Sequence, residues 1–250
     1  MRLQEKVAIV TGSSRNVGRG IALRLAEEGA DIVVNYVSNK EAADEAAKMI
    51  ENLGRKAIVI RADVSNYSQV EGMIQRTIDN FGEIDILVNN AGISNRTPIW
   101  DVSQEEVDRT ISINLKGTLN CCKAVINQMR KQRRGSIVNI SALAGTSGLL
   151  PASVHYCASK AGIIGLTKSL AIHAAPYNIS VNAVAPGQLD SPDLRSSRTA
   201  EQMRELRRRI PMGRLGRIEE VAETVVFLVS GNTGFVTGET ININGGVYMD

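Results

Sequence analysis

The chain has 250 residues, enough to bury a sizeable core as one large α/β domain or two small ones. Apolar residues make up 43% and charged residues 22%, the values of an ordinary globular chain. A net charge of +3, from 29 basic and 26 acidic residues, is too small a bias to imply a nucleic-acid partner. In chain order, "VAIVT" at 7–11 reads as a buried strand, and "GRGIALRLAEEGA" as a helix carrying Ile21, Leu25 and Ala26 on one face. "DIVVNY" gives a second strand, "KEAADEAAKMIENLG" a helix closed by Gly54, and "KAIVIRADV" a third strand. "SQVEGMIQRTIDNFG" is a helix closed by Gly82, and "IDILVNNAG" a fourth strand. A long helical zone over 103–131, a fifth strand "GSIVNIS" and a helix over 153–175 follow. Strand "ISVNAVAP", a helix over 217–230 and strand "ETININGG" complete the run.

Strands alternating with helices of this length predict βαβ units and a parallel sheet covered on both faces. No composition break or repeat marks a second domain, so the expected fold is one doubly wound α/β Rossmann-type domain over 1–250. No run of about 18 apolar residues is present, so no membrane span is expected. Glu5 interrupts the first apolar run too soon for a signal peptide. Three cysteines, Cys121, Cys122 and Cys157, are too few for a disulfide framework, and adjacent cysteines do not make a zinc site; reduced thiols in a cytoplasmic protein fit best. Basic side chains cluster at Arg130, Lys131, Arg133 and Arg134, and again at Arg204 and Arg207 to Arg209. Each cluster reads either as a solvated helix face or as a docking surface for an acidic partner.

In such sheets ligands lie beyond the carboxyl ends of the strands, near the point where the strand order reverses. After the first strand comes "TGSSRNVGRG". Glycines and small hydroxyls there let the backbone approach a phosphate, whose charge the helix amino end favours. Gly12, Ser14, Arg15, Asn16, Val17 and Gly18 are the candidates, although the same loop would serve as a tight turn. After the second strand, "NYVSNK" holds no acidic residue to bond a ribose 2′-hydroxyl. With Arg15, Tyr36, Ser38 and Lys40 nearby, the charge balance favours the 2′-phosphate of NADP(H) over NAD(H), with NAD(H) an allowed second. Asp63 and Val64 follow the third strand, where Asp63 could bond an adenine amino group or cap a helix. Asn89, Asn90, Ala91 and Gly92 follow the fourth, where the asparagines could bind ribose or fasten strands together. Tyr156 and Lys160 stand four residues apart, about 40° round one helix face. A free tyrosine titrates too high to exchange protons at neutral pH, and a nearby ammonium stabilises the phenolate.

Taken in order, "KVAIVTG", "NNAG", "INLKG", "YCASK", "VNAVAPG", "GRLGRIEEVAETVVFLVS" and "TGETININGG" resemble the short-chain dehydrogenase/reductase family from end to end. The resemblance is greatest to its 3-oxoacyl-carrier-protein reductase and glucose-dehydrogenase-like members. It implies an oxidoreductase moving a hydride between nicotinamide and a carbonyl or secondary alcohol. Tyr156 would then be the proton donor or acceptor, Lys160 would hold the nicotinamide ribose, and Asn114 would order a water. Pro186, Gly187, Leu189 and Ser191 would hold the carboxamide end. A homotetramer, and a variable substrate lid over 188–212, are also implied.

Two departures from the family pattern stand out. Asn16 replaces the middle glycine of the loop; asparagine most readily takes the left-handed conformation a glycine would supply. "NISA" replaces "NISS", so Ala142 stands where the family has the serine that polarises the carbonyl. Ser141 is taken as the nominal hydroxyl, with Thr146, Ser147 and Ser153 as alternatives and slow turnover of ordinary ketones as a third reading. Asn16 and Ala142 also motivate a second reading, a dinucleotide-binding protein with little catalysis that acts as a sensor or in assembly. The arginines of 188–212 hint at an anionic substrate, free or carrier-linked. No G-x-x-x-x-G-K-[ST] run supports phosphoryl transfer, and no metal site is expected.

Overall fold

A computed structural model describes residues 1–148, 152–231 and 233–249. The strands are β1 (Val7–Val10), β2 (Asp31–Tyr36), β3 (Ala57–Arg61), β4 (Ile86–Asn89), β5 (Gly135–Ile140), β6 (Ile179–Pro186) and β7 (Thr240–Ile243). They form one sheet in the order β3-β2-β1-β4-β5-β6-β7, every pair parallel. The helices are α1 (Asn16–Glu27), α2 (Lys40–Asn52), α3 (Tyr67–Phe81), α4 (Gln104–Ile111), α5 (Gly117–Gln132), α6 (Leu143–Ser147), α7 (Val154–Ala174), α8 (Pro192–Ser196), α9 (Ala200–Arg208) and α10 (Ile218–Val229).

Alternate strand residues face opposite ways, and each face buries its own core. Ala8, Val10, Ile32 and Val34 pack under α1, α2 and α10, through Ile21, Leu25, Ile50, Val221 and Val225. Ile9, Val33, Leu87, Ile137 and Val181 pack under α3, α5 and α7, through Val70, Met73, Cys121, Val125 and Ala171. Apolar residues on both faces explain why the strands read as unbroken apolar runs rather than alternations. The strand order reverses between β1 and β4, so the crevice for a ligand opens beyond Val10 and Asn89.

The helical zone over 103–131 is not one helix. Ser112–Lys116 forms a single π-helical turn between α4 and α5. Such turns insert an extra residue and re-aim a side chain, often at a functional site. Here the turn carries Asn114, and the Thr118 hydroxyl donates to the Asn114 carbonyl at 2.8 Å. The segment 188–212 folds into the short helices α8 and α9, whose Leu194 and Met203 make a small separate core with Ile210 and Leu215. Among the described residues no helix is long and apolar enough to cross a membrane, and no cluster of His, Cys, Asp or Glu is suited to a metal.

Candidate active site

A cavity of about 340 Å³ opens at the carboxyl edge of the sheet. Of the candidate residues it brings together Asn16, Val17, Asn90, Gly92, Ser141, Tyr156, Lys160, Pro186, Gly187, Leu189 and Ser191, with Ala142 also in its wall. Gly12, Ser14, Arg15, Gly18, Ala91 and Asn114 sit behind or beside that wall, while Tyr36, Ser38, Asp63 and Val64 lie out at the ends of β2 and β3.

The loop between β1 and α1 is held from below by Asn35. Its side chain accepts from the Gly12 amide at 3.0 Å and donates to the Ile60 and Ala62 carbonyls, so one buried residue ties three strand ends together. Thr11 Oγ1 accepts from the amides of Asn90 and Ala91, and Asn90 Nδ2 donates to the carbonyls of Thr11 and Gly12. Asn90 therefore fastens the loop to β4. Asn89 bonds Asn139 at 2.8 Å and so links β4 to β5. Arg19 donates to the Ser14 carbonyl and steadies the same loop from α1.

Asn16 has φ of 47°, the left-handed conformation expected of it, and its side chain donates to Asp193 at 2.7 Å. Arg15 is largely exposed, with its guanidinium 3.8 Å from the same carboxylate. A Cβ on Gly18 would lie 2.4 Å from the Gly12 carbonyl oxygen, so helix and loop meet at a distance only glycine allows. Unlike α2, α3 and α4, helix α1 has no side chain capping its first turn, and unlike α2 and α4 it has no acidic residue there. Its amino end is left with free N–H donors and an uncompensated positive dipole, the features that receive a phosphate. The residues present thus fit the diphosphate of a dinucleotide.

At the other cofactor end the Asp63 carboxylate accepts from the amide and hydroxyl of Ser65 at 2.9 and 2.7 Å, while α3 takes its cap from Asn66. Asp63 is therefore engaged in a local turn through one oxygen. Val64 packs against Gly117, where an added Cβ would lie 2.6 Å from its methyl. Lys40 pairs with Asp44 at 2.6 Å; Ser38 and Arg15 are exposed at that edge, as is Arg61, which donates to the Val37 carbonyl.

Tyr156 and Lys160 share the face of α7 that meets the cavity. Lys160 is buried, and its Nζ donates to the Ile140 carbonyl at 2.7 Å and lies 5.9 Å from the Tyr156 ring centre. Burial pushes the Tyr156 phenol up to about 12 and the Lys160 ammonium down to about 8. The downward shift of the tyrosine expected from Lys160 is therefore not seen in the protein by itself; loss of hydration moves each group toward its neutral form. The Tyr156 hydroxyl makes no hydrogen bond to any described residue and remains free for a ligand.

Asn114 is fully buried. Its Oδ1 accepts from the Ile93 amide at 2.8 Å, and its Nδ2 donates to the Ile93 carbonyl and to Ser159 Oγ. Ser159 Oγ in turn donates to the Tyr156 carbonyl at 2.7 Å. Both side-chain donors of Asn114 are spent on holding the 92–94 loop against α7.

Ser141, the expected catalytic hydroxyl, donates to the Lys160 carbonyl at 2.8 Å. Its single proton is committed to the backbone of α7, and the residue is buried. Ala142 faces the cavity one residue later. The alternatives are also engaged: Thr146 and Ser147 bond the Leu143 carbonyl, and Ser153 meets His155 Nε2 at 3.1 Å. Gly145 brings α6 onto α7, since a Cβ there would lie 2.6 Å from the Lys160 carbonyl carbon. The roles of Asn35, Thr11, Arg19 and Ser159 were not read from the sequence. Only the polar Asn35 inside an otherwise apolar strand offered a signal.

Comparison with known proteins bears directly on this arrangement. Residues 12–248 match the family model described as enoyl-(acyl carrier protein) reductase. The chain belongs to the short-chain dehydrogenase/reductase family. It is 43% identical over 244 residues to 3-oxoacyl-(acyl-carrier-protein) reductase FabG of Staphylococcus aureus, covering 98% of each chain. It is 40% identical over 250 residues to the enzyme of the same name from Thermotoga maritima, covering 100% of each. A crystal structure of NAD+-bound xylitol dehydrogenase superposes with a TM-score of 0.93 at 34% identity, covering 98% of this chain and 100% of that one. The chain is accordingly an NAD(P)-dependent oxidoreductase acting between a carbonyl and an alcohol.

Proposed function

We propose that the protein is a ketoreductase that prefers NADPH and reduces a 3-oxoacyl group or a related small ketone, free or carrier-linked. The observation that carries this is the Tyr156 hydroxyl, without a hydrogen-bond partner among the described residues, in one cavity with Lys160 beyond the switch point of the sheet. The relatives named as 3-oxoacyl-(acyl-carrier-protein) reductases support the substrate class. Preference for the 2′-phosphate rests on charge: β2 ends at Tyr36 without an acidic residue, and Arg15 and Ser38 stand exposed nearby.

The loop 12–18 and the amino end of α1 would hold the diphosphate, Lys160 the nicotinamide ribose, and Pro186, Gly187, Leu189 and Ser191 the carboxamide. Asp63 and Val64 would border the adenine. A bound reduced nicotinamide supplies the hydride that the carbonyl carbon receives. Tyr156 gives its proton to the carbonyl oxygen as the alkoxide develops, and Lys160 stabilises the phenolate left behind. Asn114 keeps Ile93 and Ser159 in place around Tyr156, and Ser141 fixes the carbonyl of Lys160; we assign both as positioning residues. Ala142 leaves the developing alkoxide with one hydroxyl donor, Tyr156, where the family has two. The segment 188–212 would act as the lid, joined to the phosphate loop through Asp193.

Self-association into a homotetramer fits the apolar side chains left exposed on α5, α7 and α10, namely Leu119, Val154, Ile172 and Phe227, together with Phe235. A cytoplasmic setting fits three free thiols, two of them buried with pKa values pushed up by burial. The test is Tyr156→Phe. Turnover should be abolished with NADPH affinity within a few-fold of wild type; near-normal turnover removes Tyr156 from the mechanism.

A further inference from the structure

A second cavity, of about 470 Å³, adjoins the catalytic one, and Arg96 and Ala152 line both. Its walls carry three arginines, Arg96, Arg198 and Arg209, and one acid, Glu205. Arg209 forms an ion pair with Glu205 one turn away, which neutralises that couple. Arg96 and Arg198 have no acidic partner among the described residues, and Arg198 Nε is buried with no hydrogen-bond acceptor. A buried guanidinium nitrogen without a partner is costly, and two unpaired guanidiniums on one cavity repel each other. Consistent with that, burial and the charge of Arg198 together lower the pKa of Arg96. An arrangement of this kind becomes favourable when an anion bridges the two cations.

We infer that Arg96 and Arg198 form an anion subsite that receives a carboxylate or phosphate group of the substrate while its carbonyl lies at Tyr156. This rests on the ketoreductase reading and narrows its substrate to anionic carbonyl compounds. Arg96 comes from the loop after β4 and Arg198 from the turn between α8 and α9, so a bridging anion would also draw the segment 188–212 toward the catalytic cavity. Of the arginines that the sequence crowds into that segment, Arg198 is the one whose guanidinium has a buried nitrogen left unpaired.

Two matched pairs of substrates test the subsite: 4-oxopentanoate against its methyl ester, and S-acetoacetyl-4′-phosphopantetheine against S-acetoacetylpantetheine. Within a pair only one charged group differs. The wild-type protein should prefer the charged member of at least one pair by about tenfold or more in kcat/KM. The pair that shows it separates carboxylate from phosphate as the group recognised. Arg198→Gln and Arg96→Gln should each bring the ratio close to one through KM, with Arg198→Lys retaining part of it. Equal use of charged and neutral members by wild type, or a preference unchanged in both glutamine variants, overturns the inference. If no ketone is reduced at all, the ketoreductase reading fails by itself. Calorimetric titration with the same two anions then decides the subsite: binding lost in Arg198→Gln upholds it, and no binding refutes it.

Discussion

Replacing Ala142 by serine should make the enzyme faster. Ala142 is the residue before α6, has extended backbone (φ −165°, ψ 159°) and, though largely buried, lines the catalytic cavity, so a serine there stands at the cavity wall. The neighbouring Ser141 spends its proton on the Lys160 carbonyl, and the missing donor is therefore not supplied from one residue away. Loss of one donor to a developing oxyanion costs about a hundredfold to a thousandfold in other enzymes. Recovery through a residue grafted into an unadapted site should be smaller, and we expect kcat to rise by roughly tenfold to a hundredfold. A competing destination exists. Serine at this position can also cap α6, which has no side-chain cap, adding about 1 kcal/mol and raising Tm by about 2–4 °C. Steady-state NADPH oxidation and thermal unfolding, measured side by side, separate the two. A kcat within twofold of wild type, with or without a higher Tm, would refute the argument that Ala142 leaves the alkoxide short of a donor.

Lys160→Met should abolish turnover yet stabilise the fold. Holding the ammonium at a pKa of about 8 against its ordinary 10.5 costs about 3 kcal/mol, and losing the bond to the Ile140 carbonyl offsets about 1 kcal/mol of the gain. Because the folded pKa is depressed, the cost is complete below pH 8 and fades as pH rises toward 10.5; denaturant melts across that range should show the variant's advantage shrinking. A Lys160→Met protein less stable than wild type at neutral pH would contradict this. The charged form of Lys160 is the one that stabilises the phenolate, so kcat/KM for reduction should fall as pH rises through about 8 in a pH-rate profile. Asn35→Ala removes the clamp on Gly12 and leaves the Ile60 and Ala62 carbonyls without their donor. It should lose about 2–4 kcal/mol in denaturant unfolding and weaken NADPH binding measured by fluorescence.

The sheet was legible because its strands are apolar on both faces and its helices carry a 3.6-residue stripe, so period and length alone separate them. That Tyr156 and Lys160 share one helix face was legible from their spacing, while their suggested roles came only from the family resemblance; the conformation of Asn16 was legible from the one backbone state that asparagine shares with glycine. The break in the helical zone was not, because "SINLK" contains nothing that cannot sit in an α-helix; the π-helical turn goes with tertiary bonds from Asn114 to Ile93 and Ser159 that the sequence does not reveal. The direction of the Ser141 hydroxyl could not be read either. It depends on how closely α6 and α7 approach at Gly145, a tertiary fact absent from "NISA". The same holds for the tyrosine: the i, i+4 spacing shows an ammonium nearby, whereas burial, which moves the phenol the other way, is set by the whole cavity. Arginine pairing is similar, since only the folded chain separates Arg209, held by Glu205, from Arg198.

The reaction proposed is hydride transfer from NADPH to a ketone with Tyr156 as the acid. Its most direct test follows oxidation of NADPH and of NADH by the purified wild-type protein against ketones, 3-oxoacyl thioesters and aldehydes, alongside Tyr156→Phe. Turnover with NADPH should exceed that with NADH, be greatest with 3-oxoacyl or anionic ketones and be absent in the variant. Tight binding of NADPH with no turnover of any carbonyl would contradict it.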